Sequence, residues 1–349
     1  MTRFALALVL GTLLAATSAC GSDDEPTSSA SGGAGGASSG GSSGSGGATG
    51  GGGGSGGSAT GGTSGSGGAV APDAGFVDPT AGVGPAVLVQ GGFTFLEGPA
   101  WHKPTSTLYF SDIPANAIFA LTGAGPATPF RTPSGNSNGL AFDTQGRLVA
   151  CEHSGRRLSR STGGNPPQTV VDSHEGKTLN SPNDVIVRSD GTLYFTDPAY
   201  GGNPNVLGFQ GVFRVTPAGV LHLVDASLPT PNGVALSPDE SVLYVADTQQ
   251  ALVRRYDVAS DGTTSNPAKF TDTSASADGM AVDVQGYLYV TTTAGVEVYA
   301  PDGSLHDTLS VPEIPANCAF GGADGKTLFV TARKGLYRFE LNVPGLGLP

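Results

Sequence analysis

The sequence predicts an all-β protein, a six-bladed β-propeller, from three observations: a hairpin repeated six times, a spacing with room for two more strands per repeat, and a strand missing at the carboxyl end but available at the amino end. The hairpins are EGPAWHKPTSTLYFSD from Glu97, NGLAFDTQGRLVACE from Asn138, NDVIVRSDGTLYFTD from Asn183, NGVALSPDESVLYVAD from Asn232, DGMAVDVQGYLYVTT from Asp278 and NCAFGGADGKTLFVTA from Asn317. Each joins a short apolar strand to a second strand such as LYF or LYV through a turn rich in Gly, Asp or Pro. Their starts lie 41, 45, 49, 46 and 39 residues apart.

The outer strands can be read between the hairpins: AIFAL with ATPFRT, RRLSRS with QTVVDS, GVFRVT with GVLHLVD, LVRRYDV with AKFTD, and GVEVYA with LHDTLS. Nowhere in this part do apolar residues recur every three and four positions over a dozen residues, so long helices are not expected. The sixth unit offers only GLYRFEL before the chain ends, and AVLVQGG, Ala86 to Gly92, is the strand that would complete it. Such closure hides two sheet edges.

The first strand of each blade lines the central channel, so the residues opening the hairpins should gather at one mouth. These are Glu97, Asn138, Asn183, Asn232, Asp278 and Asn317, every one an oxygen donor, and glycine follows four of them. Turn capping would explain any one asparagine. It does not explain Glu97 in register with Asp278, since two carboxylates and several amides on one axis call for a cation among them. Oxygen ligands without His or Cys suit calcium best, magnesium or manganese less well, and zinc least.

The second strands return to the same mouth at Asp112, Glu152, Asp197 and Asp247, with Thr292 and Ala332 in the last two units. Two readings stand for these: residues supporting the ring from behind, or turn residues. His153, next to Glu152, is either a structural histidine or one that reaches the mouth. The approach DSHEGKTLNSPND carries His174, Glu175 and Lys177 toward the same face, as part of a site or as a solvated loop.

Three domains are expected: 1–20, 21–78 and 79–349. Arg3, the apolar run Phe4 to Ala16 and the small residues TSAC read as an export signal, with Cys20 placed like the lipid-modified cysteine of a bacterial lipoprotein. Ordinary cleavage and release is the alternative. Gly, Ser, Ala and Thr dominate 21–78, which cannot bury enough surface to offset chain entropy and should be a disordered tether. The propeller is therefore expected in the periplasm or at the cell surface, touching a bacterial membrane only through a lipid anchor. A net charge of -12 leaves no basic stripe for nucleic acid. Cys151 and Cys318, the two cysteines of the propeller segment, make no disulfide framework and are expected in the core.

LEGPAW, CEHSGRR, LNSPNDVIVRSDGTLYFTDPAYG, PNGVALS and ADGMAVD, in that order, resemble the senescence-marker protein, gluconolactonase and luciferin-regenerating enzyme superfamily, in its bacterial gluconolactonase-like branch. The resemblance runs from Phe93 to Phe339. It implies a six-bladed propeller, one divalent metal in the channel and hydrolysis of a lactone. Carried over by motif, the metal ligands are Glu97, Asn232 and Asp278, with Asn183 touching substrate or metal. Animal members carry an arginine two residues before that asparagine to hold sugar lactones; here the position is Ser181.

The expected chemistry is attack of water on a lactone carbonyl polarised by the metal, with Asp278 taking the proton and Asp184 the less favoured base. Substrate contacts are expected from Asn183, Asp184, Asn138, His153 and Asp197. A serine triad is disfavoured, because no GxSxG nucleophile elbow is expected and the few histidines have no evident serine partner. The rival reading is a non-catalytic module that binds a metal or a sugar acid at the cell surface, since propellers host many functions. The unequal ring, with carboxylates at Glu97 and Asp278 alone, favours the enzyme.

Overall fold

In the computed structural model, residues 76–347 are described, apart from Gly164. The expected signal segment with Cys20, and the tether up to residue 75, lie outside the described residues. Val77 and Asp78 were assigned to the tether by composition, but both dock on the propeller. Val77 exchanges backbone hydrogen bonds with the Gln285 side chain. Asp78 accepts the N–H groups of Thr80 and Ala81 and pairs with His306 at 3.0 Å.

The described residues form six four-stranded antiparallel sheets and one two-stranded hairpin, with no α-helix. Blade 1 runs Leu96–His102, Thr107–Asp112, Ala117–Thr122 and Thr128–Arg131 from the inside outward, and blade 2 runs Ser137–Phe142, Leu148–Glu152, Arg157–Ser161 and Gln168–Val171. Blade 3 begins at Val185–Val187 and Leu193–Asp197, blade 4 at Pro231–Leu236 and Val242–Asp247, and blade 5 at Ala277–Val282 and Leu288–Thr292. The inner strands touch one another in cyclic order, so the sheets form a closed ring.

Blade 6 holds Asn317–Gly321, Thr327–Ala332 and Gly335–Glu340, and its outer strand is Val87–Gly91 from the amino end, paired Val87 to Arg338 and Gly91 to Gly335. The closure expected from the missing strand is present. Beyond blade 6 the chain crosses the channel mouth opposite the ring residues, where Leu346 N–H donates to Val282 O at 3.1 Å.

Each of the six apolar clusters is shared by two consecutive blades. Ala100, Ile118, Leu140, Phe142, Leu148 and Ala150 join blades 1 and 2, and Leu96, Leu108, Phe110, Phe329 and Leu336 join blades 6 and 1. Because both faces of a blade are covered, inner and second strands such as SNGLAF and LYFTD are buried at every residue, while outer strands such as TPFR and QTVV stay half-exposed. Cys151 and Cys318 are buried, unpaired members of these clusters, as expected.

Candidate active site

In blades 1, 2, 4 and 5 the ring residue sits at a β-bulge. Pairing shifts between Glu97 and Ala100, Ser137 and Leu140, Pro231 and Val234, and Ala277 and Met280. A bulge puts two residues opposite one and re-aims a side chain, here at the mouth of the channel. It also forces consecutive inner strands together. Gly139 N–H donates to Asn183 O at 2.8 Å, and a Cβ on Gly139 would stand 2.6 Å from the Asp184 Cα. Gly279 N–H donates to Ala316 O at 2.8 Å, with the Asn317 side chain filling the space beside it.

The amides form one directed chain of hydrogen bonds. Asn138 Nδ2 donates to Asn183 Oδ1 at 2.8 Å, Asn183 Nδ2 to Asn232 Oδ1 at 2.6 Å, and Asn232 Nδ2 to Thr248 Oγ1 at 2.9 Å. Thr248 Oγ1 then donates to Ala277 O at 2.8 Å. Four blades are thereby locked in register around the mouth. His153 joins the chain, with Nε2 3.3 Å from Asn183 Oδ1 and 3.4 Å from Asn138 Nδ2. Burial pushes its imidazole down to about 4, so it is neutral at physiological pH.

Three carboxylates crowd the other side. Burial, with the charges of Asp278 and Asp184, holds Glu97 well above the ordinary carboxylate range, and the Gly98 N–H and Asn317 amide offset only part of this. Burial and then Asp184 push Asp278 up to about 7, against the Asn232 amide and the charge of Arg333. Asp184, which accepts the N–H groups of Val185 and Val234, is raised by burial to about 6. No ion pair among the described residues includes any of the three. Nor, among these residues, do three His, Cys, Asp or Glu side chains form a metal-holding group by themselves. Any coordination set here needs the amide oxygens.

Glu97, Asn138, Asn183, Asp184, Asn232, Asp278 and His153 are thus brought together. Asp197 is not. Its side chain is fully buried and accepts the Asn180 N–H at 2.8 Å, so it braces the segment before Asn183 and cannot touch a substrate. Asp112 likewise accepts the Thr94 and Phe95 N–H groups, and Asp247 those of Thr230 and Gln250. Glu152 is buried against Arg157 at 2.7 Å. The three aspartates brace turns, whereas Glu152 is held by side chains. His174 packs against Phe213 with ring centroids 5.2 Å apart, and Lys177 Nζ reaches Leu207 O at 3.5 Å, so that hairpin serves its own blade rather than the ring.

The expectation of no GxSxG pattern needs correcting, because Gly135-Asn136-Ser137-Asn138-Gly139 fits that spacing letter for letter. Ser137 nevertheless enters a strand and is fully buried against the Ser111 hydroxyl at 2.9 Å, so it is no exposed nucleophile. Residues missed in the sequence include the hydroxyls just before the bracing aspartates: Ser111 Oγ donates to Asn138 O at 2.7 Å and Thr196 Oγ1 to Asn232 O at 2.6 Å. The recurring pair SD or TD was the available signal. Tyr200, Thr248 and Arg333 were also missed.

The structure is thus a six-bladed propeller with amides, carboxylates and a neutral histidine gathered at one mouth of its channel. A family model described as SMP-30/Gluconolactonase/LRE-like region matches residues 95–334. The chain is 32% identical over 294 residues to a gluconolactonase of Zymomonas mobilis, covering 75% of this chain and 82% of that protein. A solved gluconolactonase from Xanthomonas campestris superposes with a TM-score of 0.70 at 32% identity, over 73% of this chain and 89% of the other. Regucalcin of Agrobacterium tumefaciens shares the fold with a TM-score of 0.68 at 19% identity, over 76% and 97%. The chain belongs to the SMP-30/gluconolactonase/LRE-like family, and it is a lactonase.

Proposed function

We propose that the ring at the channel mouth is where the lactone is hydrolysed, and that Glu97, Asn183, Asn232 and Asp278 hold one divalent cation there, calcium before magnesium or manganese and zinc last. The observation that carries this is the mutual repulsion of Glu97 and Asp184, both buried, and half-buried Asp278, with no ion pair to any of them among the described residues. A cation relieves that repulsion. The donor set is oxygen throughout, as calcium takes it, and calcium binding is what the Agrobacterium neighbour is described by. Asn138 Oδ1, buried without a partner, leaves one more oxygen at the ring.

When bound, such a cation supplies Lewis-acid polarisation of the lactone carbonyl and offsets the charge developing on its oxygen. The residues do the rest. Asp278 accepts the proton of the attacking water while the new C–O bond forms. As the ring C–O bond breaks, the same proton passes to the departing alkoxide, giving the hydroxy acid. Asn183, held between Asn138 and Asn232, and neutral His153 fix the reacting group in place.

The test is a panel of five- and six-membered lactones, sugar and aliphatic, assayed for acid release with calcium and after chelation. Asp278→Ala abolishes turnover and no added metal restores it; metal binding without turnover across the panel defeats the reading. The same proposal includes export, with the propeller in the periplasm or at the cell surface and Cys20 as its lipid anchor. Cys20→Ser then moves the protein from the membrane fraction to the soluble one.

A further inference from the structure

We infer that Tyr200 is the specificity-determining residue of this site: its hydroxyl donates a hydrogen bond to a hydroxyl of the substrate, which makes the preferred substrate a polyhydroxylated lactone rather than a plain aliphatic one. The inference rests on the hydrolytic reading above and sharpens its substrate class.

Tyr200 lies in the segment between the second and third strands of blade 3, outside the hairpin repeat. Its hydroxyl stands 3.5 Å from Asn232 Nδ2 and 3.4 Å from Thr248 Oγ1, beside the amide chain. Both contacts are long; O–H···O bonds cluster at about 2.7–2.8 Å and N–H···O bonds at about 2.9–3.0 Å. Neither neighbour depends on the phenol, since Asn232 Nδ2 already donates to Thr248 at 2.9 Å and Thr248 to Ala277 O at 2.8 Å. The result is a half-buried donor at the ring with no firm partner of its own.

The backbone beneath it is held far more tightly than the hydroxyl. Ser181 Oγ donates to Tyr200 O at 2.7 Å, and Ala199 N–H to Gln210 Oε1 at 2.7 Å. Asn203 Nδ2 donates to His153 O at 2.7 Å and to Ser181 Oγ at 2.9 Å. A packing tyrosine needs its ring placed, whereas this arrangement places a phenol tip next to Asn232 and leaves its proton uncommitted. A lactone whose carbonyl lies at the ring would bring the hydroxyl of its adjacent carbon into the same neighbourhood.

The test compares glucono-1,5-lactone with δ-valerolactone, equal in ring size and different in hydroxylation, using the metal-loaded chain. Tyr200→Phe keeps the aromatic ring and removes the donor. It lowers the ratio of kcat/KM, sugar lactone over aliphatic lactone, by about tenfold, with the change in KM and metal affinity as in the wild type. A ratio that stays constant, or a loss of metal affinity that lowers both substrates together, overturns the inference while leaving the hydrolytic reading intact. Calorimetry with gluconate and 5-hydroxypentanoate separates the two claims. If the wild type hydrolyses neither lactone, the hydrolytic reading falls; a preference for gluconate that Tyr200→Phe erases still supports Tyr200, and one that it retains refutes it.

Discussion

Asn183 donates its side-chain N–H to the side-chain oxygen of Asn232 at 2.6 Å, so an amide of blade 3 is held directly by an amide of blade 4. Replacing Asn183 with alanine strands Asn138 Nδ2 and Asn232 Oδ1 at once. Unsatisfied buried groups cost about 1–3 kcal/mol each. Asn183→Ala is therefore expected to lower the denaturant midpoint and to cut kcat/KM for a sugar lactone by at least about tenfold, measured by chemical unfolding and steady-state kinetics on one preparation.

The raised carboxylates fix the sign of the pH dependence. Asp278 and Asp184 are raised to about 7 and about 6, and Asp197, behind the ring, is raised by burial to about 7. A carboxyl raised on folding binds more protons in the folded chain, so its contribution is fully present below the unfolded value and is lost as pH rises through the folded one. Cation-free protein should thus melt at a lower temperature at pH 8 than the same groups alone would allow at pH 5. Added calcium should stabilise it more at pH 8 than at pH 5, because protons and cation compete for Asp278. Thermal melts with and without chelator decide this; equal stabilisation at both pH values removes Asp278 from the cation site.

The Glu97 carboxylate has the Gly98 N–H, at 3.1 Å, and the Asn317 amide beside it and no cationic partner, which leaves it available to a ligand. Glu97→Gln is expected to weaken calcium binding by roughly ten- to a hundredfold or more, read by titration calorimetry without reference to turnover. Unchanged affinity would move the cation elsewhere.

The close approach at Gly139 gives a test of the bulges. A methyl there would meet the Asp184 Cα at 2.6 Å, and backbone cannot yield as a side-chain tip does. Gly139→Ala should cost about 1–3 kcal/mol by overpacking and displace Asn138 and Asp184 together, lowering cation affinity as well as stability. Gly125→Ala, with open space around that glycine and no left-handed backbone to strain, is the control for a surface glycine.

Closure through the amino-terminal strand is testable by truncation. Val89 and Phe93 pack on the cluster of Leu96, Phe110 and Leu336. A chain beginning after Phe93 leaves that cluster and the edge of Gly335–Glu340 exposed. The loss of several buried side chains, at about 1.5–3 kcal/mol each, should lower Tm by roughly 5–15 °C, followed by calorimetry.

The blades and most of the ring were legible because a propeller repeats its turn chemistry, and register alone then aligns Glu97 with Asn232 and Asp278. Asp197 misled for the same reason: register returned it to the correct mouth, but register does not say which way a carboxylate points, and this one faces a backbone N–H. Tyr200 and Arg333 come from segments outside the repeated hairpin, where no periodicity exists to read. Arg333 stands 4.9 Å over the Phe95 ring, where blade 6 meets blade 1, and its charge reaches Asp278 in blade 5. Ser181, a departure from the animal pattern in the sequence, proves to be the buried anchor of the Tyr200 carbonyl.

Every apolar cluster is common property of two neighbouring blades, and no blade contributes more than one residue of the oxygen ring. The circumference therefore has no weak point that can fail alone: a gap at any seam loosens the cluster that two blades share and shifts a ring residue on either side. Catalysis becomes a gauge of whether the whole circle is shut. A chain that has folded five blades and not yet recruited Val87–Gly91 would hold most of its mass in native form and still leave Glu97, in the blade beside the open seam, without its final place on the ring.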